Sequence, residues 1–248
     1  MKEQLIIVGL IAGLLVAHQA GYLIGRSVRG TDEAFDRQVG IVRGAMLALV
    51  AFLTGFAFSG AGSRLVDRAD LIVKEANALG TAWLRTDLVD PAVRPELKTV
   101  LRSYTADRAR MLGGADEAEI SGLLAKVDDL HRRMWSLAVK GTEANGNAMR
   151  LVLPAINEVI DLHTTHLATA RRHLPPVILG VLIVTALLAF AMVGFGGGRI
   201  GRRFLLLDSA YGAVLALGFL MVVDMDYPRH GLIRLGNGPI AATLASMN

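Results

Sequence analysis

His163 and His166 lie three residues apart, with Glu158 and Asp161 close by, the residue types and helical spacing that metal centres use. A di-metal bundle site needs two Glu-x-x-His segments and further carboxylates, whereas the comparable piece elsewhere is a lone Asp128-x-x-His131. These histidines are therefore expected to be solvated or to serve helix interfaces, with no resident metal. Asp224 and Asp226 form a second group, at the end of an apolar run. Two carboxylates at a helix C-terminus oppose the macrodipole by about 0.3–1 kcal/mol, so a compensating cation is expected. Arg229, Arg234 or a Lys or Arg of the middle of the chain can supply it. Calcium is the weaker choice, because two carboxylates leave most of its roughly six to eight oxygen ligands unfound. Otherwise no cofactor is expected.

Other sequence signals for chemistry fall away. The run Gly196-Gly197-Gly198-Arg199-Ile200-Gly201 spells G-x-G-x-x-G, but it follows an apolar helix instead of a strand and reads as a short loop. With no cysteine there is no thiolate, and no Ser/His/Asp signature or phosphate loop stands out. An enzyme is not expected. A net charge of +4 would suit nucleic acid, yet the Lys and Arg are scattered and aromatics make up only 6%. The positive excess suits lipid headgroups and no nucleic-acid role is expected.

The elements that position these residues are membrane helices and a helical segment between them. Hydrophobic residues are 53% of the chain and charged ones 19%, below the roughly 25% of soluble domains. Apolar stretches run from about Leu5 to Gly25, Ala45 to Ala61, Pro176 to Gly196 and Phe204 to Val223. Each is long enough to cross the ~30 Å hydrocarbon core as a helix, the one conformation besides a closed barrel that satisfies its own backbone there. The first run is longer than a signal-peptide core and lacks a small-x-small cleavage pattern near Ala17-His18-Gln19-Ala20, so it is expected to be kept as a span.

The spans also carry assembly signals. Gly9, Gly13, Ala17, Gly21 and Gly25 make a stripe of small side chains that predicts close helix packing. Ala51, Gly55, Ser59 and Ser63 repeat it on the second span, beside Phe52 and Phe56, which lie one turn apart and are candidates for a hydrophobic constriction or a lipid-facing surface. His18 and Gln19 sit past mid-span, where polar groups face a bundle interior or water, so His18 is a candidate for a helix–helix hydrogen bond or for a pore wall. Asp208 lies close to an interface and is expected to be solvated.

Between the span pairs the chain reads as helical. Leu65, Ala69, Ile72, Ala76, Leu79 and Trp83 recur at four-three spacing, which predicts that the second span continues outward as one long helix. Asp90-Pro91 and Arg94-Pro95 break it; the next helix buries Leu97, Leu101, Tyr104 and Met111. Gly113-Gly114 is a turn, and Asp116 with Glu119 opens a helix carrying Ile120, Leu123, Val127, Leu130, Met134 and Leu137. After Asn145-Gly146 a last helix carries Val152, Ile156, Val159, Ile160 and Leu167, and Pro175-Pro176 marks the third span. The expected organisation is all-α: a first membrane helix pair (1–61), a helical domain (62–175), a second pair (176–223) and a C-terminal tail (224–248).

Four pieces carry a resemblance: Leu53-Thr-Gly-Phe-Ala-Phe-Ser59; Lys74-Glu75-Ala76-Asn77-Ala78-Leu79-Gly80-Thr81-Ala82-Trp83-Leu84-Arg85; Ile156-Asn157-Glu158-Val159-Ile160-Asp161 with Arg171-Arg172; and Asp224-Met225-Asp226-Tyr227-Pro228-Arg229-His230-Gly231. In this order they resemble the bacterial bestrophin-like membrane proteins of unknown function, with Glu75, Asn77, Asn157, Asp161, Pro228 and Gly231 as motif positions. Distant similarity to bestrophins implies a pentameric anion channel in the bacterial inner membrane, its neck lined by the second span and its helical domain cytosolic. The acidic run of the bestrophin calcium clasp is absent here, and Phe52 and Phe56 match the hydrophobic neck in spacing. A non-conducting scaffold or sensor, whose helical domain binds a protein partner, is the alternative. Charge opposes the implied orientation, since Arg26, Arg29, Arg37, Arg43, Arg199, Arg202 and Arg203 would lie outside.

Overall fold

A computed structural model describes residues 2–28, 30, 32–228 and 231–247, with side chains from residue 8 onward. Eight α-helices account for most of this: α1 (Lys2–Ser27), α2 (Glu33–Arg85), α3 (Arg94–Leu112), α4 (Glu117–Thr142), α5 (Gly146–Ala170), α6 (Pro176–Ile200), α7 (Leu205–Asp226) and α8 (Gly238–Ser246). No strand occurs among the described residues. By length and composition α1, α2, α6 and α7 are able to cross a membrane. The chain forms two compact units, Met1–Leu65 with His173–Leu232, and Val66–Arg172 with Ile233–Asn248. The residues after 223 are thus divided: the Asp224–Leu232 stretch belongs to the membrane unit, and the remainder, with α8, to the helical unit.

In the membrane unit α1 packs along α6 at backbone distance. A methyl group added at Gly21 or Gly25 would overlap the carbonyls of Ala191 and Phe195. Reciprocally, one at Gly194 or Gly198 would overlap the carbonyls of His18 and Tyr22. Lipid supplies no hydrophobic force between helices, so this close approach, with its dispersion and Cα–H contacts, is what holds them together. Gly13 faces the Leu187 side chain, whereas Gly9 has nothing within 4 Å, so the packed stripe begins after it.

The glycine run 196–198, expected to be a loop, is helical and buried. Two conditions overturn the loop reading: a backbone in lipid must bond internally, and neighbours crowd each position, the Arg43 side chain at Gly196, the Arg202 carbonyl at Gly197 and the α1 backbone at Gly198. The helix ends one turn later. Gly201 adopts φ +74°, a left-handed conformation that suits glycine, and N–H groups of Gly201 and Arg202 return to the Gly198 and Gly197 carbonyls, both at 3.1 Å.

The helical unit is built around Leu79, Leu97, Leu101, Tyr104, Met134, Val152 and Ile156, all buried. Local signals set its boundaries. Asp116 caps α4 by accepting the Glu119 N–H at 2.8 Å, Asn145 caps α5 through the N–H groups of Asn147 and Ala148, and Gly114 makes the preceding turn at φ +105°. In α8, Ile240 is fully buried, and the nearby Asn237 amide donates to the Ala109 carbonyl at 2.8 Å. The C-terminal segment expected to be a tail therefore contributes to this core.

Candidate functional site

The membrane half of α2 has two dissimilar faces. Val50, Ala57 and Ala61 recur at helical spacing and are buried within the unit, with Thr54 lying against α7 at Gly218. The opposite side carries Phe52 and Phe56, 70% and 66% exposed in the single chain, with exposed Leu49 beside them. Ala51, Gly55, Ser59 and Ser63 are exposed too, and Gly55 has open space before it. The small-residue stripe of α1 is thus largely used inside the chain's own membrane unit, whereas that of α2 is not. An apolar wall and a stripe suited to helix contact lie side by side on one surface.

The polar groups at mid-span are placed differently from one another. His18 Nε2 stands 3.0 Å from Asp208 Oδ2 of α7, and its ring lies 5.2 Å from that of Phe190 on α6. The structure thus joins His18 to its neighbouring helices, and Asp208, expected to be solvated, is half-buried with it. Gln19 is exposed among Leu15, Val16 and Leu23.

One end of α7 is fastened by its carboxylates. Arg64 of α2 donates to Asp226 Oδ1 at 2.8 Å, and the Leu174 N–H donates to Oδ2 at 2.8 Å. His173 Nδ1 lies 3.1 Å from the Asp226 carbonyl, its ring stacked on Tyr227. Asp224 accepts the Leu232 N–H at 2.6 Å, which folds the following loop back onto the helix end. A methyl at Gly231 would overlap that carboxylate, which explains a glycine at this distance from Asp224. Arg64 supplies a cation beside Asp226; Arg29, Arg229, His230 and Asn248 lie outside the described residues. Among the described residues no three His, Asp or Glu side chains converge as a metal site.

A further polar group, whose members the sequence offered separately but not as one cluster, lies inside the helical unit. Glu75 is fully buried and accepts two bonds from Arg108, at 2.5 and 2.8 Å, while His166 Nδ1 stands 3.4 Å from its carboxylate. Tyr104, His131 and His163 adjoin them. Burial, and then the Glu75 charge, push the Tyr104 phenol well above its ordinary pKa. The sequence signal for it is a carboxylate at the buried position between Ile72 and Leu79. Of the other motif positions, Asn77 is exposed, Asn157 donates to Asp161 at 2.7 Å on the surface of α5, and Pro228 is half-buried.

A family profile for the bestrophin-like domain matches residues 10–240. Among solved structures, the chain is similar to a mutated bacterial bestrophin homolog from Klebsiella pneumoniae, with a TM-score of 0.69, 15% identity and 96% of each chain covered. It is similar also to another crystal structure of a bestrophin homolog from that organism, with a TM-score of 0.67, 15% identity and coverage of 96% of this chain and 95% of that one. No curated protein matches.

Proposed function

The chain belongs to the bestrophin-like family, and on that premise we propose that several copies, five by resemblance, form a channel for small anions with α2 lining the pore. The observation that carries this reading is the exposed face of α2, where Phe52 and Phe56 project one turn apart from a helix whose other side is packed within the subunit. A ring of such side chains around an axis makes a constriction narrow and apolar enough to gate by dewetting. Ala51, Gly55, Ser59 and Ser63, beside it, offer a neighbouring copy a close contact. Gln19 supports assembly independently, because an exposed amide at mid-span is costly in lipid and is relieved by a second subunit or by water.

His18 is assigned to helix packing and not to the pore wall, given its bond to Asp208. In the orientation that follows from the family, the helical unit is cytosolic and the protein lies in the bacterial inner membrane. Cysteine introduced at Phe52 in the otherwise cysteine-free chain tests the assembly. Cross-linking between copies in native membranes, with chloride flux into liposomes blocked by thiol reagents, is the expected result. Thiol labelling of Phe52→Cys from the lipid phase, with no chloride flux from the assembled protein, would leave the scaffold reading in its place.

A further inference from the structure

We propose that the buried cluster of Glu75, Tyr104, Arg108, His131, His163 and His166 is a proton-sensitive latch that holds α5 against α3 and α4 and opens when His131 and His163 take up protons. The groups face one another from four helices: Glu75 from α2, Tyr104 and Arg108 from α3, His131 with Asp128 from α4, and His163 and His166 from α5. His131 and His163 meet edge to face with ring centroids 5.2 Å apart, and Tyr104 lies 5.1 Å from His131 and 6.1 Å from His163. Among the described residues, Tyr104 Oη, His131 Nε2, His163 Nδ1 and His166 Nδ1 are buried without hydrogen-bond partners. Buried polar atoms are nearly always paired, so these orphans, lying side by side, call for an explanation beyond packing.

Charge decides what a proton does there. Glu75 is the single carboxylate inside the cluster, and Arg108 already takes both its oxygens. A proton on His163 would put a second cation beside Arg108 with no anion left to receive it. Burial first, then Arg108 and His131, hold the His163 imidazole down to about 4. His131 is likewise lowered by burial and by Arg108, although Asp128 and Glu75 pull the other way. In the opened segment a histidine protonates near its ordinary value of about 6.5. The folded-state value lies below that, so the latch is fully closed above about pH 7 and weakens as pH falls from about 6.5 towards 4.

Hydrogen exchange on the full-length protein in lipid nanodiscs, corrected for the intrinsic pH dependence of exchange, reads the opening directly. For a group moving from about 6.5 to about 4, the opening equilibrium of α5 rises about 30-fold between pH 7.5 and pH 5. That rise is expected in α5 and the facing parts of α3 and α4, not in α1 and α6, and His163→Leu should flatten it. An equal rise in α1 and α6, or an undiminished rise in folded His163→Leu, would overturn the proposal. If the variant does not fold, magnetic resonance of labelled imidazoles in the unmodified protein decides: His163 neutral at pH 5.5 supports the latch, and titration near 6.5 refutes it.

Discussion

The two units solve the same problem, holding helices in register, by opposite means. In the membrane unit the grip between α1 and α6 comes from what is missing, since Gly21, Gly25, Gly194 and Gly198 have no side chains and the backbones touch. In the helical unit it comes from what is present: large side chains such as Leu97, Leu101, Tyr104 and Met134 around the paired charges of Glu75 and Arg108. Water explains the difference. Burying Leu or Tyr is favourable where the alternative is water, by about 1.5–3 kcal/mol for a large aliphatic side chain. It yields little where the alternative is lipid, and there close approach takes over.

The largest effect is therefore expected in the helical unit. Glu75→Ala leaves Arg108 charged and buried, and should cost about 3–5 kcal/mol in chemical denaturation of the solubilised protein. Glu75→Leu combined with Arg108→Met should recover much of it; an equal loss in the double variant would mean that packing, not charge, is at stake.

Next comes the membrane unit, where Gly198→Ala should cost about 1–3 kcal/mol or more, because the new methyl meets the Tyr22 carbonyl. Gly9→Ala is the matched control and should be neutral in thermal stability and oligomer size. Equal behaviour of the two would erase the contrast between the units. Asp226→Asn weakens the Arg64 bond and should cost about 1.5 kcal/mol. Chelation of calcium from the unmodified protein should leave its melting unchanged, and a matching loss would favour a bound cation. Smallest of all, Asp161→Asn on the exposed face of α5 should change stability by less than about 0.5 kcal/mol.

The sequence was legible where one helix decides its own form. The seam through Ile72, Ala76 and Leu79 announced that α2 runs on past its apolar stretch, and Asp116 and Asn145 announced the starts of α4 and α5. It misled where the environment decides: Gly196-Gly197-Gly198 is a loop by propensity in water and a packing surface in α6. The 224–248 segment gave no sign that Ile240 would be buried, because nine residues of α8 carry too short a pattern to stand out. The cluster around Glu75 was hidden by separation, its members being spread over 92 residues and four helices, although each is visible as a polar residue on or near an apolar face. The exposed Phe52 and Phe56 were legible as a pair; that α2 turns them away from the rest of its membrane unit was not.

The central claim, that this turned-out face lines an anion pathway, is tested most directly by recording from planar bilayers containing purified oligomers of the unmodified chain and of the Phe52→Ala, Phe56→Ala double variant. The account predicts chloride current from the unmodified protein and a clear rise in conductance or open probability once the two apolar rings are removed. Intact oligomers silent in both forms across pH, calcium and voltage would contradict it.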